Sequence, residues 1–267
     1  MKYRIVFSDV DGTLLNSRHQ MLPGTVRAIR TLQGKGIPFV IISGRSPSGI
    51  DPILRDNGLH CPMICYSGAL MLDETGKTVF SKGFSRDTAR NVIGYMEKRG
   101  LDCTWNLFSQ DTWIVKDRKD PRVALEESIV RARAVEGLPD RLPQDAAVGK
   151  ILCMCRPEGI LDVERELKTV FPGLCIARSS DTLLEIMRGG VCKSSAVREV
   201  CAMRQIPLET AVAFGDHYND ADMLETVGMP FLMGNAPEEL KSRFPFVTDS
   251  NDEEGIDHAL RRLGLIA

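Results

Sequence analysis

A chain of 267 residues is long for one hydrophobic core and suits two modest domains, or one domain carrying a large insertion. With 43% hydrophobic, 26% charged and 6% aromatic residues, a net charge of −2 and no long basic run, the composition is ordinary for a globular protein. It points neither to nucleic acid nor to an anionic membrane as a main partner. The first apolar run, Tyr3 to Phe7, is too short for a signal sequence, and no stretch approaches a membrane span. The expected compartment is the cytoplasm, where the 8 scattered cysteines stay reduced. Cys153 and Cys155 share one face of a strand-like run, but no second pair stands at zinc-ligand spacing, so they read as core thiols.

In chain order, residues 3–7 read as a strand buried on both faces. Pro23 opens a helix with Leu22, Val26, Ile29 and Leu32 at helical spacing, ended by Gly34 and Gly36. Pro38 to Ile42 is a second strand, halted by Ser43-Gly44-Arg45. A helix of about ten residues is predicted from Ser46-Pro47, then a third strand at Met63 to Tyr66. This alternation is the pattern of a parallel doubly wound sheet. Residues 69–83 read as a hairpin. The texture then changes to an α+β mix: a helix marked by Ala89, Val92, Ile93 and Met96, and strands at Cys103 to Leu107 and Thr112 to Lys116. A helix near Arg122 to Arg133 follows, then a Pro/Gly/Asp-rich connection at 137–145 and a strand at Ile151 to Cys155. Ile160, Val163, Leu167 and Val170 mark a further helix, and Leu174 to Ala177 and Thr182 to Met187 read as strands. From Gly189 the first texture returns. A helix begins at Lys193, a strand at Thr210 to Phe214 is halted by Gly215-Asp216, and a short helix leads to the strand Met229 to Met233. A helix near Pro237, a strand at Phe246 to Thr248 and a helix carrying Ile256, Leu260 and Leu263 complete the chain. The expected architecture is α/β: a Rossmann-like, doubly wound parallel sheet core (1–83 and 188–267) with an inserted α+β cap domain (84–187).

The chain is organised around Asp9-Val10-Asp11-Gly12-Thr13, directly after the first strand. The first, second and Phe214 strands all stop at small polar or acidic residues, and in a parallel sheet those ends share the edge where ligands bind. Asp9, Ser43 and Asp216 can therefore converge from distant parts of the sequence. A carboxylate can attack phosphorus and form an aspartyl phosphate, provided that the charge of the ester is neutralised. Asp9 and Asp216 could share a Mg²⁺, a hard ion held by carboxylates, phosphate and water. Lys193 supplies a point charge for phosphate, and the Ser43 hydroxyl with nearby backbone N–H groups completes a cradle. Asp11 is placed to protonate the leaving oxygen and then deprotonate water, and Gly12 allows a tight turn between the acids and the rest of the loop.

Each piece alone has a plainer reading. Asp-Gly after a strand is commonly a turn, Ser43 could cap the next helix, and Asn219 or Asp220 could be a helix cap. A lone Lys193 reads as a solvated lysine, and His217 as a loop residue. An EF-hand register fails, because Phe7 or Leu14 would fall where a ligand or glycine is required. The argument rests on the set.

That set resembles the haloacid dehalogenase-like hydrolases over nearly the whole chain. Asp9-Val10-Asp11-Gly12-Thr13 resembles the family's first motif, Ser43-Gly44-Arg45 its second, Lys193 its third and Gly215-Asp216-x-x-Asn219-Asp220 its fourth. An insert between the second and third motifs, and the tail Met233-Gly234-Asn235-Ala236 with Val247-Thr248 and Glu254-Gly255, resemble the Cof-type phosphatase branch. The resemblance implies a mobile cap, Asp9 as nucleophile, Asp11 as acid–base, and Mg²⁺ held by Asp9, the Asp11 carbonyl and Asp216. It implies phosphate contacts from Val10 N–H, Ser43, Gly44, Lys193 and Asn219, with Asp220 behind them positioning the metal waters or Lys193. Two positions depart from the branch pattern: Ser67-Gly68-Ala69 stands for Asn-Gly-Ala, and Ser194 replaces the usual glycine after the lysine.

The leading expectation is a Mg²⁺-dependent phosphatase acting on a small phosphomonoester, a sugar phosphate or similar metabolite. A phosphomutase on the same core and a non-catalytic binding or regulatory protein are the alternatives. The two first-motif acids argue against the last, since a pure binder has no need of both. Trp105, Asn106, Trp113, Arg178, Glu185 and Arg188 are candidates for substrate contacts from the insert.

Overall fold

The computed structural model describes residues 2–130 and 132–267. Its chain divides into two compact units, one formed by Met1–Gly44, Ile50–Val79 and Cys192–Ala267, the other by Arg45–Gly49 and Phe80–Val191.

The first unit opens with β1 (Ile5–Ser8), α1 (Pro23–Gly34), β2 (Phe39–Ile42), α2 (Pro47–Asp56), β3 (Met63–Cys65), β4 (Leu70–Leu72) and β5 (Thr78–Ser81). Every residue of β1, β2 and β3 is buried, as a strand covered on both faces requires. Pro23 sits in the first turn of α1, where its missing N–H costs nothing, and Glu254 from the far end of the chain caps that turn through the N–H groups of Gly24 and Thr25 (2.6 and 2.8 Å).

The second unit holds β6 (Phe84–Ser85), α3 (Arg86–Arg99), β7 (Cys103–Ser109), β8 (Thr112–Val115), α4 (Pro121–Val130), β9 (Val135–Glu136), β10 (Ala147–Val148), β11 (Lys150–Cys155), α5 (Ile160–Val170), β12 (Leu174–Arg178) and β13 (Leu183–Arg188). Its main sheet has six strands in the order β12-β13-β11-β7-β8-β9, and β6 pairs with β10 separately. Ser85 caps α3 by accepting the Thr88 N–H, and left-handed Gly100 ends it. Strand alternation splits the sheet residues between two faces. Trp105, Leu107, Ile151, Cys153, Leu184 and Ile186 join Ala89, Val92, Ile93 and Met96 of α3 and Ile160, Val163 and Leu167 of α5 in one apolar core. The opposite face carries the row Asn106, Leu152, Glu185 and the row Trp113, Phe108, Lys150.

The first unit resumes with α6 (Lys193–Met203), β14 (Ala211–Gly215), α7 (Ala221–Leu224), β15 (Met229–Leu232), α8 (Glu238–Lys241) and α9 (Gly255–Arg262). Its sheet has seven strands in the order β15-β14-β1-β2-β3-β4-β5. β15, β14, β1, β2 and β3 run parallel, and β4 returns antiparallel beside β3. This is an α/β fold of the doubly wound kind. The strand order reverses direction between β1 and β14.

The structure corrects several local expectations. The third strand stops at Cys65, because Tyr66, Ser67 and Gly68 all take positive φ (54°, 53° and 123°) and leave the extended region. Val247 forms only an isolated bridge to Leu232, so Phe246 to Thr248 is not a ladder strand. Short pairings at Val135–Glu136 and Ala147–Val148 flank the connection expected at 137–145. The helix predicted to Arg133 ends at Val130, and Arg131 lies outside the described residues.

Candidate active site

Register brings the chemistry together before any side chain is considered. Ser8 of β1 lies opposite Phe214 of β14 on one side and Ile41 of β2 on the other. The residues that follow, Asp9, Gly215-Asp216 and Ser43, therefore leave the sheet along one edge. The reversal between β1 and β14 opens the crevice where such sheets bind ligands. The Asp9 N–H donates to the Phe214 carbonyl (3.0 Å), which ties the first acid to the strand that delivers the second.

Lys193, the first residue of α6, is 1% exposed. An ammonium at a helix N-terminus meets the wrong end of the dipole, so its burial requires strong compensation. That comes from two carboxylates: Lys193 Nζ donates to Asp9 Oδ1 (2.5 Å) and to Asp220 Oδ1. Burial pulls the lysine pKa down, but Asp220 and Asp9 outweigh it and hold it above the ordinary lysine value. The second oxygen of Asp220 accepts the N–H groups of Asp216 and His217 (both 3.1 Å). Both Asp220 oxygens are thus committed, and the residue orients Lys193 and the Asp216 turn together.

Asp216 is held from the first loop. The Thr13 hydroxyl donates to Asp216 Oδ1 (2.8 Å). Gly12 has φ +77°, and a Cβ there would lie 2.3 Å from Asp216 Oδ2. Glycine is required twice over, by its left-handed backbone and by the carboxylate against its Cα. Burial pushes the Asp216 pKa up to about 6 against the pull of Thr13. Burial likewise raises Asp9 well above the usual carboxylate range, with Lys193 opposing and Asp220 and Asp216 adding to the rise.

Oxygens of Asp9, Asp216 and Asp220 lie within 4.8 Å of one another. Three carboxylates face one ammonium, so the cluster carries an excess of about two negative charges when ionised, which adds to the rise that burial imposes on Asp9 and Asp216. All donors are hard oxygens. This donor set and this charge deficit fit a divalent cation such as Mg²⁺. Asp220 already accepts at both oxygens, from Lys193 and from the Asp216 and His217 N–H groups.

The other sequence candidates take different places. Asp11 is exposed at the crevice, two residues beyond Asp9, and Val10 beside it is fully buried. Ser43 is buried at the end of β2, and its carbonyl accepts the Ser67 N–H (2.8 Å). Gly44 follows it, half-buried, and Asn219 is exposed in the short turn before α7. Sequence reasoning assigned no role to Thr13 or to Asn235, whose amide donates to the Gly12 carbonyl (2.8 Å). Nothing in a lone threonine or asparagine signals such a contact. The Ser67 departure falls in a left-handed stretch where asparagine is favoured over serine.

In the second unit, Trp105 lies in the apolar core and donates to Glu97 Oε1 (3.2 Å), which removes it from the candidates for substrate contact. Asn106 and Trp113 are joined by a hydrogen bond (Trp113 Nε1 to Asn106 Oδ1, 3.0 Å), and Trp113 stacks on Phe108. Glu185 pairs with Lys150 and Arg178 with Glu164 (both 3.0 Å), while Arg188 is exposed. A cavity of about 460 Å³ opens at the other end of the first unit's strands, lined by Tyr3, Arg4, Ile37, Pro38, Arg204 and Ile206. It contains none of the acids, and it is not the candidate site.

Comparison with known proteins identifies the family. A family model described as haloacid dehalogenase-like hydrolase matches residues 6–260. A Haemophilus influenzae protein named as a phosphatase is 34% identical over 258 residues, covering 96% of each chain. The structure of a haloacid dehalogenase-like hydrolase from Bacteroides thetaiotaomicron superposes with a TM-score of 0.87, at 24% identity and covering 98% of this chain and 99% of that one. A Thermotoga maritima protein superposes with a TM-score of 0.86, at 25% identity and 97% coverage of both chains. Among the described residues no helix is long and apolar enough to cross a membrane.

Proposed function

The chain belongs to the haloacid dehalogenase-like hydrolases and is an enzyme of their Cof-type phosphatase branch, and from that premise we propose that it hydrolyses a small phosphomonoester, a sugar phosphate or similar metabolite, with Mg²⁺. The observation that carries this reading is the buried Asp9–Lys193–Asp220 cluster with Asp216 beside it and Asp11 exposed at its mouth.

Asp9 is the nucleophile. Its oxygen attacks phosphorus as the ester P–O bond breaks, and the leaving oxygen takes a proton from Asp11. Water then gives a proton to Asp11 and attacks the same phosphorus, and the Asp9 carboxylate departs. The sum is ester plus water to alcohol plus phosphate. Lys193 fixes the rotation of the Asp9 carboxylate through Oδ1 and offers positive charge to the phosphoryl oxygens. Val10 N–H, Ser43, Gly44 and Asn219 complete the phosphate cradle, and Asp220 positions Lys193. Asp9, Asp216 and the Asp11 carbonyl would hold Mg²⁺, which when bound neutralises phosphoryl charge and lowers the pKa of the carboxylates around it. Residues 1–83 and 188–267 act as the catalytic core and 84–187 as a cap that sets specificity, with Asn106, Trp113 and Glu185 as contributors.

The test is phosphate release from a broad panel of phosphomonoesters, with and without Mg²⁺, beside Asp9→Asn. Metal-dependent release from a few compounds, lost in the variant, is the expected result. No release from a protein shown to bind Mg²⁺ would overturn the reading.

A further inference from the structure

The tail segment Met233-Gly234-Asn235-Ala236 and the residues near 250 take no part in the chemistry above, yet they grip the loop that carries it. Asn235 Nδ2 donates to the Gly12 carbonyl (2.8 Å). The Asn251 N–H donates to Asn235 Oδ1 (3.0 Å), which fixes the orientation of the Asn235 amide, and Asn251 Nδ2 donates to the Leu15 carbonyl (2.8 Å). Asp252 accepts the Ser17 N–H (2.9 Å). Four hydrogen bonds from 235–252 therefore hold or support the segment 12–17.

This loop has one demanding task. It must keep Gly12 flat against Asp216 Oδ2 and the Thr13 hydroxyl on Asp216 Oδ1 while presenting Asp11. Asp11 is exposed, and whatever its carboxylate meets, the direction of its Cα–Cβ bond is set by the backbone between Val10 and Gly12. The Gly12 carbonyl is the first acceptor after Asp11 that a remote side chain holds.

We propose that Asn235, braced by Asn251, is a positioning residue that sets the Gly12 peptide and through it the proton-transfer geometry of Asp11. The inference rests on the acid–base role proposed for Asp11. It has a consequence that mere stabilisation of the fold lacks. A departing alkoxide needs a proton and a departing nitrophenolate does not, so misplacing the acid penalises alkyl phosphates selectively.

The experiment compares kcat/KM for an alkyl phosphate that the enzyme accepts and for p-nitrophenyl phosphate, in wild type, Asn235→Ala, Asn235→Asp and Asp11→Asn. Asn235→Asp keeps the shape and the acceptor for the Asn251 N–H but removes the donor to Gly12, so it serves if the alanine variant fails to fold. Both Asn235 variants are expected to lose roughly 10-fold or more on the alkyl ester, and less than about 3-fold on the aryl ester, a fraction of full general-acid help. Equal losses on both esters, or no loss on either, would overturn the role of Asn235 while a selective Asp11→Asn leaves the acid–base reading standing. If Asp11→Asn itself shows no selectivity, that reading falls and the inference falls with it.

Discussion

Each unit buries a lysine, and the two are buried on different terms. Lys150 in the second unit pairs with Glu185 at 3.0 Å and lies over the Phe108 ring, 5.6 Å from its centroid. There a cation is matched by an anion beside an aromatic face, an arrangement of the kind that a sheet can carry. Lys193 in the first unit meets Asp9 and Asp220 together, with Asp216 adjoining. That cluster is unbalanced by construction, and it lies at the end of β1, where a doubly wound sheet opens toward ligands. A balanced buried charge is a packing solution. An unbalanced one at a ligand-binding edge favours the approach of a cation.

The strongest way to break the contrast is at Asp9. Asp9→Asn is expected to abolish turnover on every phosphomonoester while the protein still unfolds cooperatively, as read by phosphate release and thermal melting. Preserved turnover would move the nucleophile elsewhere. Lys193→Met should show the imbalance as instability, costing about 3–5 kcal/mol in denaturant unfolding because Asp9 and Asp220 lose their counter-ion. A loss under about 1 kcal/mol would mean that solvent reaches the cluster.

Titration sharpens the comparison further. With its folded pKa raised to about 6 above an unfolded value near 3.9, Asp216 binds its proton more tightly in the native state. Its contribution to stability is therefore present below about pH 4 and is lost as pH rises through about 6. The metal-free protein should lose melting temperature across that window, and the gain on adding Mg²⁺ should grow across it, since the ion favours the ionised form. A Mg²⁺ effect independent of pH would argue against Asp216 as a ligand. The smallest effect belongs to the balanced pair: Lys150→Met with Glu185→Leu should change unfolding free energy by no more than about 1 kcal/mol. A much larger loss would erase the distinction between the two lysines.

Much of this was legible because chemistry at a sheet edge leaves local marks. Asp9-x-Asp11, Lys193 and Asp216 each follow a buried strand or open a helix, and strand order then brings them together. Trp105 was not legible as core, because one residue of alternation separates it from Asn106 on the opposite face. The strand expected at 246–248 is reduced to one bridge, because its pairing with β15 ends after the backbone bonds that Leu232 exchanges with Phe246 and Thr248, and a short apolar run does not reveal how far its pairing extends. Ser67 reads as a simple departure from a motif, and only its left-handed backbone and its bond to Ser43 show what the position must do.

By itself the sequence determined the α/β class and the family, and it singled out the acids proposed to carry the chemistry, since these depend on residue type, hydrophobic period and short spacings. Tertiary structure alone decided that Asp220 accepts hydrogen bonds at both its oxygens, that Gly12 lies against Asp216, and that Asn235 and Asn251 hold the loop between Asp11 and Leu15. Those contacts join residues up to 236 positions apart, and a hydrogen bond over such a separation leaves no local periodicity to read.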